Sequence, residues 1–436
     1  MKRKIISIIL MAVFSLPGLG LNTSEADEPL SLKDVITIGL KNNPNISASR
    51  KSIEAEEASA GGARAERLPV INLNGGATRY RYAQPITPIT GSPLTSGFPE
   101  FDESIFDVSL SFTLPLYRGG RIERGIRIAE IKKSIAEDTL KFNEQELVYN
   151  ITSAFFKIAE LDRLLNANNA LVSNVEAHRK NIELFVKAGA APRLDLYKAD
   201  VELAHARQNS IEIKNNLASA YELLKYLAGF KDELSLTLNA EVTEEVKGRV
   251  EDSIVLALSR RADYQAILKK KRLSGERIRY AEGRRYPQIN LNGEYGDRSG
   301  ADLGFEENWA VGVRFSVPLF DGGVIRSDIA RERKEGEAVE YEEIALRNNI
   351  IREIKDACLK IESAGMRIEV ALASIESAKE SLRIERLRFD TGEGKSTDVM
   401  DAETALLRAQ TDYHRAVFER ETAIANLKRA TGALAQ

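Results

Sequence analysis

Residues 112–120 read Phe-Thr-Leu-Pro-Leu-Tyr-Arg-Gly-Gly, and residues 315–323 read Phe-Ser-Val-Pro-Leu-Phe-Asp-Gly-Gly. In each copy, an alternating apolar and polar run passes through a proline and gives way to a long charged pattern. Alternation with period two predicts a β-strand, and the period of three to four that follows predicts a helix. The chain therefore contains the same predicted strand-to-helix junction twice.

The prolines and glycines of this junction indicate how the strand would end. Proline has no N–H to donate to a sheet ladder, so we expect strand pairing to stop there. A glycine pair gives the backbone the freedom to turn from strand into helix. The predicted junction residues are Pro115, Gly119, Gly120, Pro318, Gly322 and Gly323.

Composition excludes several classes of protein. The 436 residues carry a net charge of −3, which does not favour a nucleic-acid partner. Charged residues make up 29% of the chain and aromatic residues 7%, which suits long helices better than a large globular core. Cys358 is the only cysteine, so an intramolecular disulfide and a cysteine-based metal cluster are excluded.

The N-terminus has the pattern of a secretion signal. Three basic residues at 2–4 precede an apolar run over 5–16, which is too short to span a bilayer as a helix. Ser24-Glu25-Ala26 matches a small-x-small cleavage site, so we predict a signal peptide over residues 1–26. A retained amphipathic anchor is the alternative, although the run has no polar face. No later stretch reaches 18 consecutive apolar residues, so strands would have to carry any passage through a membrane.

Two β-hairpins are predicted, over residues 70–117 and 288–320. Alternation is clearest over 105–116, which would place apolar side chains on one face and polar ones on the other. The apolar face would carry Phe106, Val108, Leu110, Phe112 and Leu114. The polar face would carry Asp107, Ser109, Ser111 and Thr113. A switch of apolar parity within the first strand predicts a β-bulge at Gly75-Gly76.

A long helix follows each hairpin. The first is predicted over residues 122–188, where apolar residues recur at alternating spacings of four and three, as in a coiled coil. It would be about 100 Å long, which no monomeric globular domain of this size covers. The stretch from Gly189 to Pro192 breaks the pattern, and a return helix is predicted over 195–228.

The second half of the chain repeats the first. A constant offset of 203 residues carries the first junction onto the second and Gly189 onto Gly392 without a gap, which indicates an internal duplication. We divide the chain into repeat 1 (27–229), a linker (230–248) and repeat 2 (249–436). Repeat 2 would contain a helix over 262–285, the hairpin, a long helix over 325–390 and a return helix over 398–430.

Four strands per chain are too few to close a barrel. Membrane barrels begin at about 8 strands, and a barrel that small is filled by its own side chains. Three chains would supply about 12 strands around a lumen. We therefore expect a mixed α and β membrane protein, in which a trimer closes a 12-stranded barrel that continues as an α-helical coiled-coil barrel. The alternative is a secreted periplasmic coiled-coil interaction or scaffold protein without a pore, because a soluble sandwich also uses strands with one apolar face.

Several motifs carry a resemblance to a known family. They are the segment Leu40-Lys41-Asn42-Asn43-Pro44, the two Pro-Leu-aromatic-x-Gly-Gly junctions, the turns at 185–189 and 389–392, and the segment 398–402. In order and spacing the chain resembles the TolC family of outer-membrane efflux proteins over nearly all of residues 31–432.

The resemblance implies a homotrimer in contact with outer-membrane lipid, with its helical barrel in the periplasm. Such a trimer would be a passive channel of a tripartite efflux or type I secretion system. Its partners would be a periplasmic membrane fusion (adaptor) protein and an inner-membrane pump or ABC transporter. Family members export drugs, metals, small metabolites or whole proteins.

Asp398 and Asp401 are the predicted gate. They lie three residues apart, on one face of a helix. By resemblance they match two aspartates that ring the closed periplasmic entrance, where three chains would place six carboxylates that attract cations. The alternative is helix capping, with Asp398 as the cap and Asp401 near a positive helix end. In repeat 1, Asp195 is the predicted cap and Lys198 stands at the position of Asp401.

The two turns at 186–194 and 390–397 are the predicted contact with the adaptor, although glycines there would also serve simply to reverse the chain. The predicted contact residues are Lys187, Gly189, Arg193, Asp195, Gly392, Gly394 and Lys395. Gly394 stands where some family members carry an arginine that helps to lock the entrance.

No arrangement of residues predicts catalysis, a metal or a cofactor, so we expect that the protein is not an enzyme. The glycine pair before the long helix lacks the Gly-Lys-Ser/Thr of a phosphate loop. The three histidines have no metal-ligand partners at a convincing spacing, and we expect them to be solvated or packed. They are His178, His205 and His414.

Overall fold

The computed structural model describes residues 30–86, 100–230 and 249–434. The predicted signal peptide and nearly all of the predicted linker lie outside these residues. The elements are α1 (Leu32–Asn42), α2 (Pro44–Ala65), β1 (Val70–Pro85), β2 (Phe101–Arg118), α3 (Arg121–Lys187), α4 (Arg193–Ala228), α5 (Val250–Arg260), α6 (Ala262–Glu282), a 3-10 turn (Gly283–Arg285), β3 (Gln288–Ser299), β4 (Glu306–Ser316), α7 (Val324–Asp390) and α8 (Ser396–Ala430).

The four strands form one antiparallel sheet in the order β1-β2-β3-β4, so β1 and β4 are its edges. Its two faces differ in chemistry. Side chains on one face bond one another, as Asn74 does with Ser111 (2.9 Å) and Thr113 with Asn292 (3.1 Å). The other face is apolar and open: Leu73 and Phe315 are each 75% exposed. The alternation of the sequence therefore separates a polar face from an apolar face that nothing in the described chain covers.

The predicted bulge at Gly75-Gly76 is wrong. Pairing with β2 is unbroken there, with Gly76 opposite Asp107, and the register shifts only between Arg79 and Gln84. A Cβ on Gly76 would lie 2.8 Å from a carboxylate oxygen of Asp107. The glycine therefore makes room for the Asp107 side chain. The alternation of apolar residues changes face where the register shifts, between Arg79 and Gln84.

Pro115 does not end strand pairing, contrary to the prediction. The ladder between β2 and β3 continues to Arg118 opposite Gln288, with an irregularity between Pro115 and Tyr117. A bulge lets a strand pass a residue that has no N–H to donate. In the second junction β4 ends at Ser316, two residues before Pro318.

Two long helices organise the rest of the chain. α3 and α7 each have 67 residues, or about 100 Å. α2 and α4 pack along α3, and α6 and α8 pack along α7, while α3 also contacts α6 and α8. Within the described residues, no helix combines the length and apolarity needed to cross a membrane.

The largest buried cluster lies where α1, α2, α3 and α4 meet. Its fully buried members include Val35, Ile46, Ile151, Ile158 and Leu224. A smaller cluster joins α5, α7 and α8 through Ala257, Ile350, Ile354, Ala357 and Leu427. These clusters hold each short helix against its long neighbour, so the far ends of α3 and α7 are positioned about 100 Å from the sheet.

Candidate functional site

The two chain reversals lie side by side at the end of the helices that is remote from the sheet. We call residues 178–203 and 382–406 the tip. Ile182, Ala199 and Met400 form one buried cluster there, although they come from α3, α4 and α8. The Phe185 and Phe389 rings meet edge to face with their centroids 5.6 Å apart. The structure thus brings the two predicted adaptor-contact turns together.

Glycine is required in both turns. Gly189 and Gly392 have φ of +73° and +81°, in the left-handed region that favours glycine at helix ends. Gly394 has a different constraint: its N–H donates to the Arg388 carbonyl at 2.8 Å, and a Cβ would lie 2.9 Å from the Phe389 nitrogen. A side chain at this position would therefore require the backbone at 388–389 to shift.

The structure does not support the capping alternative for the aspartates. The N-caps of α4 and α8 are Pro192 and Lys395, and neither makes a side-chain cap hydrogen bond. Asp195 and Asp398 are instead the third residues of their helices, where a carboxylate still interacts favourably with the helix dipole. The prediction that Asp195 is a cap is wrong for the same reason.

Asp401 is exposed and lines a groove between α4 and α8. Lys198, its predicted counterpart in repeat 1, lines the same groove, together with Tyr197 and Met400. Asp398 is half-buried, and its contact is a weak hydrogen bond of 3.4 Å from the Thr397 hydroxyl. Among the described residues, neither aspartate forms an ion pair, so both carboxylates are available to charges outside the chain.

The remaining predicted tip residues lie on the surface. Lys187 is exposed and pairs with Glu183 at 2.8 Å, and this lysine lowers the pKa of the Glu183 carboxyl. Arg193 and Lys395 are also exposed. These exposed cations share the two turns with the exposed acidic residue Glu393, so the surface at this end of the helices carries both signs of charge.

Two buried polar contacts in the tip were not predicted from the sequence. The His178 ring is buried, and its Nε2 lies 3.0 Å from the Ser396 hydroxyl. Arg386 on α7 pairs with buried Glu403 on α8 at 2.5 Å. Burial raises the pKa of the Glu403 carboxyl, and Arg386 opposes that rise. These residues differ from the other polar residues of their helices only in being buried. The local sequence of a charged helix does not show which of its polar residues are buried.

A family model described as "Outer membrane efflux protein" matches residues 35–229 and 253–433. The chain belongs to the outer membrane efflux protein family. Both matched segments include a hairpin, a long helix and a return helix, so the family model covers the sheet as well as the helices. The chain is accordingly an outer-membrane protein of the TolC type whose helical part lies in the periplasm, and its role is in efflux.

Relatives of this efflux protein are similar over almost their whole length. "Outer membrane protein TolC" of Salmonella enteritidis is 23% identical, over 90% of this chain and 80% of the relative. "Solvent efflux pump outer membrane protein SrpC" of Pseudomonas putida is 22% identical, over 87% of this chain and 80% of the relative. The crystal structure of the Campylobacter jejuni CmeC outer membrane channel superimposes with a TM-score of 0.81 at 18% identity, over 98% of this chain and 93% of CmeC. This structural likeness establishes the fold.

The strand-to-helix junctions of this efflux protein differ in how tightly they are packed. All four junction glycines have positive φ, from +64° to +90°. A Cβ on Gly119 would meet the Gly283 carbonyl oxygen, whereas one on Gly322 would meet no atom within 4 Å. The first junction is therefore enclosed by the chain itself, and the second lies open beside the free edge strand β4.

Proposed function

We propose that the chain is one protomer of a homotrimeric outer-membrane duct that passively conducts substrates out of the cell. The sheet carries this proposal, because it has an uncovered apolar face and two unpaired edges. An open edge invites pairing with another chain, and an apolar face that is exposed on both edge strands fits lipid. Pairing β4 of one protomer with β1 of the next would close a 12-stranded barrel with the polar face inside.

Two exposed apolar seams on the helices support the same assembly. Each follows coiled-coil spacing, and every side chain in it is 42% or more exposed. The α4 seam consists of Leu194, Tyr197, Val201 and Ile211, and the α7 seam consists of Leu359, Met366, Val370, Ile384 and Leu387. Because α4 begins at the tip and α7 ends there, Leu194 and Leu387 lie at the same level. The α4 seam of one protomer would pack on the α7 seam of the next, and this head-to-tail contact closes a ring.

The secreted coiled-coil scaffold is the weaker proposal. That protein would have to pack its hairpins on its own helices, yet Trp309, Val311 and Val313 on β4 are each more than half exposed. Fractionation separates the two proposals. The duct requires detergent for extraction and conducts ions in a planar bilayer, whereas the scaffold is released in soluble form.

We propose that the tip receives a periplasmic adaptor, which couples the duct to an inner-membrane pump or ABC transporter. The P. putida relative is named as the outer-membrane part of a solvent efflux pump, which supports such an assembly. The exposed glycine turns, together with exposed Lys187, Arg193 and Lys395, form the surface that a partner would meet. The internal duplication accounts for two similar turns in each protomer, or about six in a trimeric ring.

Asp398 and Asp401 would ring the entrance of the duct. In the double variant Asp398→Asn/Asp401→Asn we expect cation selectivity to fall, because uncharged amides attract cations less strongly. We expect conductance to rise, because cations that are held less tightly at the ring leave it faster. The change in selectivity should be severalfold, corresponding to about 1 kcal/mol per charge ring in a partly solvated pore. Single-channel recording with asymmetric salt measures both quantities.

Asp195→Asn is the matched control for the gate. It removes one charge from the repeat 1 position that corresponds to Asp398, where Lys198 replaces the second aspartate, so it is compared with the single variant Asp398→Asn. The control should leave selectivity close to wild type. If the two substitutions changed cation selectivity equally, the cause would be helix stability or overall charge, and the gate proposal would be wrong.

A further inference from the structure

A buried histidine joins the two repeats inside the tip. His178 on α3 is only 8% exposed, and its Nε2 lies 3.0 Å from the Oγ of Ser396, which is 3% exposed. The His178 ring also packs edge to face on Phe389 of α7, with centroids 4.7 Å apart. One imidazole on α3 thus contacts both α7 and α8, and its hydrogen-bond partner is 218 residues away in sequence.

The position of Ser396 connects this contact to the predicted gate residues. Ser396 is the first residue of α8 and directly follows the turn at 391–395. Asp398 is two residues further on and Asp401 lies in the next helical turn. Because a helix moves as a unit over so short a distance, any displacement of Ser396 is transmitted to both carboxylates.

We propose that His178 is a proton-sensitive latch, and that its protonation releases the start of α8 from α3 and loosens the tip. The neutral ring fits its surroundings, since it is enclosed by Phe389 and shares one hydrogen bond with a hydroxyl. An imidazolium there would be a buried charge without a carboxylate in hydrogen-bond contact. The further step, in which a loosened tip opens the duct, rests on the proposed function.

The charged groups around His178 set the direction of the response. Arg386 and Asp390 face it from α7 with opposite signs, and Arg386 is itself held by Glu403 of α8. On α3 and α4, Arg179 pairs with Asp200 and Glu183 at the surface. Burial is the dominant influence and lowers the pKa of His178 below its usual value, against a smaller opposing contribution from Ser396.

The lowered pKa of His178 determines how the stability of the closed tip changes with pH. A histidine whose pKa is lower in the folded tip than in the open tip stabilises the closed arrangement when it is neutral. That stabilisation is complete above the ordinary pKa of about 6.5 and is lost as the pH falls below it. Glu403 has the opposite sign, because burial raises its pKa and protonation removes a buried charge, so it does not contribute to opening in acid.

Amide hydrogen exchange of the detergent-solubilised protein tests the latch without requiring channel activity. In the wild type, exchange of residues 390–400, corrected for the intrinsic effect of pH, should be about fivefold faster at about pH 5.5 than at about pH 7.5. His178→Gln retains a hydrogen-bonding side chain that cannot be protonated, so its corrected exchange should be nearly equal at the two pH values. His205→Gln, at an exposed site on α4, is the matched control and should respond as the wild type does.

A second variant guards against misfolding of the first. Ser396→Ala removes the hydroxyl partner, and we expect the tip to exchange faster at neutral pH. Its further increase in acid should persist, because burial of the ring, and not the hydroxyl, disfavours the imidazolium. The latch is overturned if His178→Gln keeps the full wild-type pH response, or if the wild-type tip shows none. Conductance recorded at the same two pH values then tests gating: an absence of channels at any pH contradicts the proposed duct, whereas channels with a pH-independent tip contradict only the latch.

Discussion

Val313→Arg should abolish stable membrane insertion. Val313 is 63% exposed on the apolar face of β4, opposite Leu291 of β3 and two residues from the middle of the strand pair. If this face meets lipid, an arginine there costs about 2–4 kcal/mol near the bilayer midplane. Three protomers would each bear that cost in one assembly. We expect the variant to be missing from the outer-membrane fraction, as measured by immunoblot of separated membranes.

The neighbouring residue provides a matched control. Gly312 lies at the same level on the opposite face, opposite Asn292, and a Cβ on it would meet no atom within 4 Å. Gly312→Arg introduces the same side chain into what we propose is the lumen, so the protein should reach the membrane with an altered conductance. If Val313→Arg inserted as well as Gly312→Arg, the apolar face would not be the lipid-facing one.

Gly119→Ala should severely destabilise the first junction. Its φ of +64° disfavours any L side chain, and the added Cβ would meet the Gly283 carbonyl and lie 2.9 Å from the Tyr286 Cβ. Strain and backbone displacement together should cost about 3 kcal/mol or more. We expect a large fall in the temperature at which the detergent-extracted assembly dissociates, measured by gel mobility after heating.

Gly322→Ala is the equivalent substitution in the second junction. Its φ is +67°, but the space around it within the chain is open, so only the backbone cost of about 1 kcal/mol applies. The dissociation temperature should therefore fall much less than in Gly119→Ala. Equal losses would mean that conformational freedom, rather than close packing against Gly283, explains the glycine in the first junction.

Long periodic segments of this fold could be predicted from sequence because their signal is local. The helix predicted over 122–188 is observed at Arg121–Lys187, since nothing in it interrupts the pattern and glycine-rich turns bound it. The bulge and the end of β2 were predicted wrongly. Alternation cannot reveal that Gly76 makes room for Asp107, or that the ladder continues past Pro115, because both depend on the partner strand.

The tip was only partly predictable for the same reason. Asp398 and Asp401 fall on one helix face because of their spacing, and the offset of 203 residues predicted Lys198 as the counterpart of Asp401. The contact between His178 and Ser396 links residues in different repeats, so no local pattern indicates it. Predicting it would have required the packing of α3 against α7 and α8.

The most direct test of the trimeric duct is the mass of the detergent-extracted protein, measured by light scattering with the detergent contribution subtracted. Three chains are expected, because β1, β4 and the α4 and α7 seams all need a neighbour. The assembly should remain intact on dilution, since its strands pair between protomers. A stable, folded monomer in detergent would contradict the account, because its edge strands and apolar seams would then have no partner.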